Sequence, residues 1–260
     1  MSSIFAVYKR ELTLYFRSPV AYAIAFALFL LFGLLFSSNI NNVVEYNLTS
    51  AQQGGAPVTA ESFIGFVPSL LTFLLFLVAP LLTMRLLAEE TREGTLEVLM
   101  TLPMSEASFI IGKFLAVWTY YTIVLLITLV TYTTILSQIG VPDMGRVLLA
   151  NFGAWLYGGA VLAVTMVWSA ITEDQIVAAF LGAATVLVLY LAEIASTWAS
   201  QQTFTAGATS FIRELSLTAH FDNTMLAGIL RVEDVLYFVF LMVGALFITV
   251  RLVETRRWRA

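Results

Sequence analysis

The sequence contains no cysteine, one histidine and few charged residues. Of its 260 residues, 12% are charged and 60% are hydrophobic. Without cysteine the chain has no disulfide, no thiolate metal site and no thiol nucleophile. A single histidine excludes a metal centre built from several histidines, and a net charge of −4 offers no basic surface to nucleic acid. The composition that remains is that of a polytopic membrane protein.

A phosphate-binding loop is also absent. Such a loop ends in Gly-Lys-Ser or Gly-Lys-Thr after an upstream glycine. The only Gly-Lys pair is Gly112-Lys113, which lacks that glycine and is followed by Phe114. The sequence therefore predicts that this chain does not hydrolyse ATP and is not an enzyme of that kind. Lys113 is interpreted as a cation that snorkels from the end of an apolar segment.

Long stretches without charge organise the chain. About 20 apolar residues form a helix that crosses a bilayer. We expect an all-α membrane protein with one domain over residues 1–260, and spans near 19–38, 64–87, 108–136, 147–170, 176–196 and 234–252. The polar, glycine-containing residues 41–62 between the first two spans are expected to form a loop with little structure. No inverted repeat is recognisable, which disfavours an ion-coupled secondary transporter.

The amino-terminal residues 4–17 form an amphipathic pattern. Their apolar side chains occupy one broad face at helical spacing, with basic residues opposite. No small-residue cleavage site follows, so the segment is not a signal peptide. We predict an interfacial helix. Glu11 falls within its apolar face, so we expect a polar partner on a neighbouring span or another subunit, with a snorkelling carboxylate as the alternative.

A dense polar segment, Ala88–Pro103, separates the second and third spans. Between Gly94 and Pro103 the apolar residues have helical spacing, so we predict a short helix within a loop over residues 88–106. It could lie on lipid headgroups or dock into a partner protein. Its four glutamates against one arginine favour docking, because anionic lipid repels acidic segments.

The sequence around this loop resembles a known family. The run PLLTMRLLAEETREGTLEVLMTLP followed by GKFLA, residues 80–116, looks like the coupling-helix region of ABC-2 type exporter permeases, especially the gliding-motility kind. KRELTLYFRSPVAY and HFDNTMLAGILRVEDVLYF resemble the same family. The resemblance implies that the loop seats in a separate ATPase subunit, which binds ATP and Mg. The residues it assigns to coupling are Glu89, Glu90, Gly94, Thr95, Glu97, Leu99 and Pro103.

Charge distribution predicts the orientation. An internal amino terminus places ten lysines and arginines inside and three outside, namely Arg146, Arg213 and Arg231. Both termini and the coupling loop are then cytosolic. We expect a bacterial or archaeal cytoplasmic membrane.

Residues 197–233 are predicted to be external or re-entrant. Glu193, the one acid embedded in apolar sequence, either lines a path or lies at the interface. Residues 206–217 place Phe211, Ile212 and Leu215 on a helical face that needs a cover. A re-entrant helix packed on the spans as an exit gate would cover this face, and so would a docked auxiliary protein. We favour the gate, formed by Glu193, Phe211 and Leu215. An extracytoplasmic auxiliary protein is expected to contact His220, Asp222, Arg231 and Asp234.

These observations predict half of an export pathway. Two copies, or this chain with a paralogue, would pair with two ATP-binding subunits within membrane lipid. ATP binding would move the docking helix and tilt the spans so that a path opens outward. The alternative is a membrane scaffold in which the same movement drives an external partner and nothing crosses this chain. Lipid, peptide and glycan substrates fit the sequence equally well.

Overall fold

Helices dominate the computed structural model, which describes residues 3–54, 63–95, 104–201 and 206–257. Six helical segments are long and apolar enough to cross a membrane, which confirms the all-α, six-span prediction. In the described part of the chain the helices are α1 (Ser3–Arg17), α2 (Pro19–Gln52), α3 (Phe66–Thr83), α4 (Arg85–Arg92), α5 (Glu106–Ile139), α6 (Met144–Ile171), α7 (Gln175–Ser200), α8 (Ala206–Glu214) and α9 (Val232–Arg257), with a π-helical turn at Phe221–Met225.

Three of the long helices are capped at their amino termini by a side-chain oxygen that accepts hydrogen bonds from backbone amides. Ser105 accepts a hydrogen bond from the Ser108 amide at the start of α5. Asp143 does the same for two amides at the start of α6, and Asp174 for two at the start of α7. These caps satisfy amides that lack partners within the helix. They fix where each span begins.

Helix α6 is the centre of the bundle. In its most apolar stretch of 18 residues, 78% of the residues are buried, compared with 22% in the corresponding stretches of α2, α7 and α9. It packs against α3, α5, α7 and α9. Close packing depends on small residues: at Gly159, Met242 of α9 and Trp118 of α5 approach the position that a side chain would fill. The helix with the most neighbours is therefore rich in glycine and alanine.

Helix α2 extends well beyond its apolar part. Its 34 residues measure about 51 Å at 1.5 Å per residue. The prediction that residues 41–62 form a loop is wrong for residues 41–52, which belong to α2. Residues 41–53 contain neither proline nor glycine, and the first residue to break the pattern is Gly54, which has φ +72°. The Thr49 hydroxyl donates to the Glu45 and Tyr46 carbonyls, so a polar side chain here stays within the helix.

Helix α1 packs mainly against the first turns of α5. Its buried residues are Val7 and Glu11, one helical turn apart. Phe5, Leu14 and Phe16 are exposed, so the buried stripe is narrower than the predicted apolar face. The end of the bundle that holds α1 and α4 is called the α4 end below, and the other is called the far end.

Candidate functional site

A buried ionic triad joins three helices at the α4 end. Lys113 of α5 lies with its Nζ 3.0 Å from Glu11 Oε1 of α1 and 2.8 Å from Glu90 Oε1 of α4. Lys113 is 2% exposed, Glu11 5% and Glu90 8%. The Lys113 ammonium also lies 5.0 Å from the centre of the Phe109 ring. This cluster is called the triad below.

The interpretation of Lys113 as a snorkelling cation is wrong. Helix α1 covers the start of α5, so the ammonium is enclosed by protein and has two carboxylate partners. The partner expected for Glu11 on a neighbouring span is confirmed as Lys113. Two carboxylates and one ammonium give the triad a formal charge of −1. Breaking such a cluster is costly, because each charge would remain buried without compensation.

Helix α3 ends at Thr83 and α4 begins at Arg85, and Ser169 of α6 binds the backbone at this break. Its hydroxyl donates to the Met84 carbonyl at 3.0 Å and accepts from the Leu87 and Ala88 amides at 3.1 Å each. Ser169 is fully buried. One hydroxyl thus uses its donor and both acceptor positions on the backbone of the break. It fixes α4 to the central helix.

The predicted coupling loop begins directly after the triad. Helix α4 ends at Arg92, and Gly94 has φ +69°, a left-handed conformation that favours glycine. The Thr95 hydroxyl donates back to the Glu90 carbonyl at 3.3 Å. Glu90 is an internal residue here, whereas Glu89 is half-buried. Glu97, Leu99 and Pro103 lie outside the described residues, as does the predicted helix that contains them.

Two phenolic hydroxyls complete the connections of α1 and α5. Tyr15 of α1 donates to the Leu82 carbonyl of α3 at 2.6 Å. Tyr120 of α5 donates to the Ala21 carbonyl of α2 at 2.6 Å, and its ring stacks on Tyr15 with centroids 5.5 Å apart. Helices α1, α2, α3 and α5 are therefore linked around the triad.

At the far end, His220 and Asp234 hold one another. His220 Nδ1 lies 2.8 Å from Asp234 Oδ1, and the ring stacks on Tyr237 at 4.0 Å. The Tyr237 hydroxyl donates to the Leu215 carbonyl. Asp234 is 3% exposed. These contacts fix the chain between α8 and α9, so two of the four residues predicted to face an auxiliary protein, His220 and Asp234, are paired with each other.

A second polar group connects α7 to the π-helical turn. Asn223 Nδ2 donates to Glu193 Oε1 at 2.6 Å. Burial, reinforced by the nearby Glu193 carboxylate, raises the pKa of Asp222 to about 6. Glu193 and Asp222 therefore lie together at the far end. The arrangement places Glu193 against the segment that the sequence predicted to be external.

Phe211 of α8 and Leu215, just after it, are not covered by the described residues of this chain. Phe211 is 65% exposed and Leu215 43% exposed. Helix α8 instead contacts α7 through its backbone, where Ser196 Oγ donates to the Thr209 carbonyl. The expectation that the spans of this chain cover the Phe211 face is not met. Arg231 is exposed and pairs with Glu233 at 3.4 Å.

Sequence reasoning missed two residues that organise the α4 end. Lys113 carried a signal, because it is a lone cation in apolar sequence while Glu11 is a lone acid on an apolar face. Opposite charges in apolar settings have reason to pair. Ser169 carried no comparable signal, since serine within a transmembrane helix commonly bonds to its own backbone.

No curated protein matches this chain closely enough to count as a relative. The family described as ABC-2 family transporter protein matches residues 5–252, which include both ends of the bundle and all three members of the triad. The chain therefore belongs to the ABC-2 family and is a membrane permease subunit of an ABC transporter.

Proposed function

We propose that this permease couples ATP hydrolysis in a separate nucleotide-binding subunit to export of a substrate across the cytoplasmic membrane. In this proposal the α4 end and both termini are cytosolic. Two ATP-binding subunits, which hold ATP and Mg, serve two permease copies or this chain and a paralogue. The observation that carries the proposal is the triad, because it joins α1, α4 and α5 directly before the loop that would dock.

The first step is the transfer of movement into α4. Gly94 adopts a left-handed backbone conformation one residue after Glu93 ends the helix. A displaced docking loop pulls on α4 through this turn. Helix α4 cannot move alone, since Lys113 holds it to α5 and Ser169 holds it to α6. Movement of the loop is thus transmitted to two spans.

The second step depends on the energetic cost of breaking these contacts. Removing one partner from a buried ionic cluster costs about 3–5 kcal/mol. A rigid-body tilt that keeps the triad intact avoids that cost. We therefore assign the triad to transmission, and Glu89, Glu97, Leu99 and Pro103 to contact with the ATP-binding subunit. Glu90 acts internally.

The test begins with co-purification of the permease and its ATP-binding subunit in mild detergent. A neutral triad, Glu11→Gln with Glu90→Gln and Lys113→Met, should leave the complex assembled but reduce permease-dependent ATPase activity several-fold. The matched control removes the exposed pair of α9, Arg251→Gln with Glu254→Gln, and should retain activity. Normal activity of the neutral triad in an intact complex would reject transmission through these residues.

Two variants of the loop test docking to the ATP-binding subunit. Gly94→Val places a β-branched residue where φ is +69°, so the backbone must change. Leu99→Asp removes an apolar side chain from the proposed interface. Both should uncouple hydrolysis without unfolding the permease. ATP hydrolysis by the permease alone, or ion-driven uptake without any ATPase, would contradict the export proposal as a whole.

The alternative function has one observation in its favour. Helix α2 continues beyond its apolar part with Val44, Tyr46 and Leu48 more than half exposed. Such an extension could pass the movement to an extracytoplasmic auxiliary protein, as the gliding-motility likeness suggests. A single cysteine at Tyr46 in this cysteine-free chain should then cross-link to that protein. ATP-driven transport in vesicles that contain only permease and ATPase would favour export instead.

The proposed gate lies at the far end of the bundle. We retain Glu193 as a residue beside the exit, because Asn223 connects it to the far-end segment. Phe211 and Leu215 require a cover from outside this chain, and a second permease copy would supply it. For contact with an auxiliary protein we retain Arg231, whose pair with Glu233 is exposed, whereas the pair of His220 and Asp234 is largely buried.

A further inference from the structure

A cavity of about 470 Å³ lies beside the triad, whose three residues form part of its lining. Its walls are the second half of α1, the first turns of α2, the end of α3, and α4 with the residues that follow it. The volume lies within the roughly 300–1,000 Å³ typical of small-molecule sites. The cavity therefore has room for a ligand.

The charged residues of the cavity are balanced. Four are basic and four are acidic: Arg10, Arg17, Arg85, Lys113, Glu11, Glu89, Glu90 and Glu93. The triad accounts for three of these and has a formal charge of −1. Among the described residues the three arginines and the other two glutamates belong to no ion pair. A lining with both signs available suits a zwitterion better than a simple anion or cation.

One buried acceptor in this lining lacks a partner. Glu90 Oε2 is buried and receives no hydrogen bond from the described residues, although Glu90 Oε1 binds Lys113. An unsatisfied buried acceptor is unfavourable, and an unsatisfied carboxylate oxygen more so. A ligand that places an N–H donor at Glu90 would satisfy it. The cationic group of the ligand must therefore carry hydrogen on its nitrogen.

The remaining wall of the cavity is apolar. It includes Leu14, Val20, Ile24 and Leu81. From the start of α2 at Pro19 to Ile24 the helix rises about 7.5 Å. That is roughly the thickness of one headgroup layer, given a bilayer of about 40–45 Å with a hydrocarbon core of about 30 Å. A cavity whose charged part lies at headgroup level would thus reach the edge of the hydrocarbon region along Ile24.

We propose that this cavity binds the headgroup of an aminophospholipid such as phosphatidylethanolamine. The phosphate lies between Arg17 and Arg85, because guanidinium groups match phosphate geometry. The ammonium donates to Glu90 Oε2 and to Glu93. The first part of an acyl chain follows Ile24 and Leu81. Phosphatidylcholine lacks an N–H donor and phosphatidylglycerol lacks a cation, so neither satisfies the whole lining.

The test uses the whole permease in nanodiscs of phosphatidylcholine. A trace phosphatidylethanolamine probe carries a photoactivatable group near the start of its acyl chain. Cross-linked peptides, mapped by mass spectrometry, should concentrate at residues 20–24 and 81–82. Labelling should exceed that from matched phosphatidylcholine and phosphatidylglycerol probes several-fold. Equal labelling by the three headgroups would show ordinary boundary lipid and overturn the proposal.

Two variants test the assigned phosphate contacts, and a soluble competitor tests recognition of the headgroup. Arg17→Gln with Arg85→Gln should reduce phosphatidylethanolamine labelling several-fold, whereas Arg251→Gln on α9 should not. Unchanged labelling in the double variant would contradict the assigned phosphate contacts. Excess glycerophosphoethanolamine should reduce this labelling, because it offers the same headgroup to the cavity, whereas glycerophosphoglycerol should not. Equal competition by the two compounds would contradict recognition of the ammonium group. Because no arm measures ATPase activity, failure here leaves the coupling proposal untouched, and the reverse also holds.

Discussion

Gly112 of α5 lies directly against Val7 of α1. A Cβ placed on Gly112 would come within 2.8 Å of Val7 Cβ and 3.0 Å of the Ile4 carbonyl oxygen. Contacts this short force the helices apart. The close approach of α1 to α5, which encloses Lys113, therefore depends on the absence of a side chain at position 112.

We expect Gly112→Ala to lower stability by about 1–3 kcal/mol, the usual cost of overpacking. Alanine favours helix formation, so the intrinsic effect opposes this loss. Gly33→Ala on α2 is the control, because nothing lies within 4 Å of its added Cβ. Thermal unfolding in detergent should separate the two variants, with Gly33→Ala neutral or stabilising. Equal midpoints would disprove the tight contact.

Replacement of Lys113 by methionine should be strongly destabilising. The variant leaves Glu11 and Glu90 buried beside each other without a cation, at a cost of about 3–5 kcal/mol. Adding Glu11→Gln and Glu90→Gln should recover most of the loss, since no charge then remains buried. Arg251→Met, which removes an exposed partner of Glu254, should cost about 0–1 kcal/mol. Chemical denaturation of each variant measures these differences.

Loss of the Ser169 hydroxyl should loosen the break between α3 and α4. In Ser169→Ala the Leu87 and Ala88 amides lose their acceptor, which costs about 1–3 kcal/mol for buried groups. Hydrogen exchange should accelerate at these two amides. Ser137→Ala removes an exposed hydroxyl bonded within α5 and should leave exchange unchanged. Equal exchange in both variants would contradict the role of Ser169.

Asp222 should make stability depend on pH. Its pKa of about 6 exceeds the ordinary 3.8, so the folded state retains a proton that the unfolded chain has lost. Stability should therefore fall as pH rises from about 4 to 6 and then level off. Asp222→Asn should flatten this fall and raise the melting temperature at pH 7. Glu193→Gln should weaken the pH dependence, because it removes the neighbouring carboxylate. Glu233→Gln, at an exposed site, is the control.

The six spans could be predicted because hydrocarbon excludes charge over a fixed thickness, so length and composition suffice. The end of α2 could not, since asparagine and threonine lower hydropathy without breaking a helix. The contact between Glu11 and Lys113 joins positions 102 apart, and no local pattern fixes such a pairing. A partner for Glu11 was predictable, but its identity required the packing of α1 on α5. The break at Met84 is held by Ser169, which sequence alone did not distinguish from its neighbours.

The order of residues within the triad has a consequence for biosynthesis. Glu11 is made 102 positions before Lys113, and Glu90 is made 23 positions before it. Because a ribosome synthesises the amino-terminal part first, both acids are present when the lysine emerges beside the membrane. The ammonium can thus be neutralised while α5 is being inserted, since both of its carboxylate partners have already been synthesised.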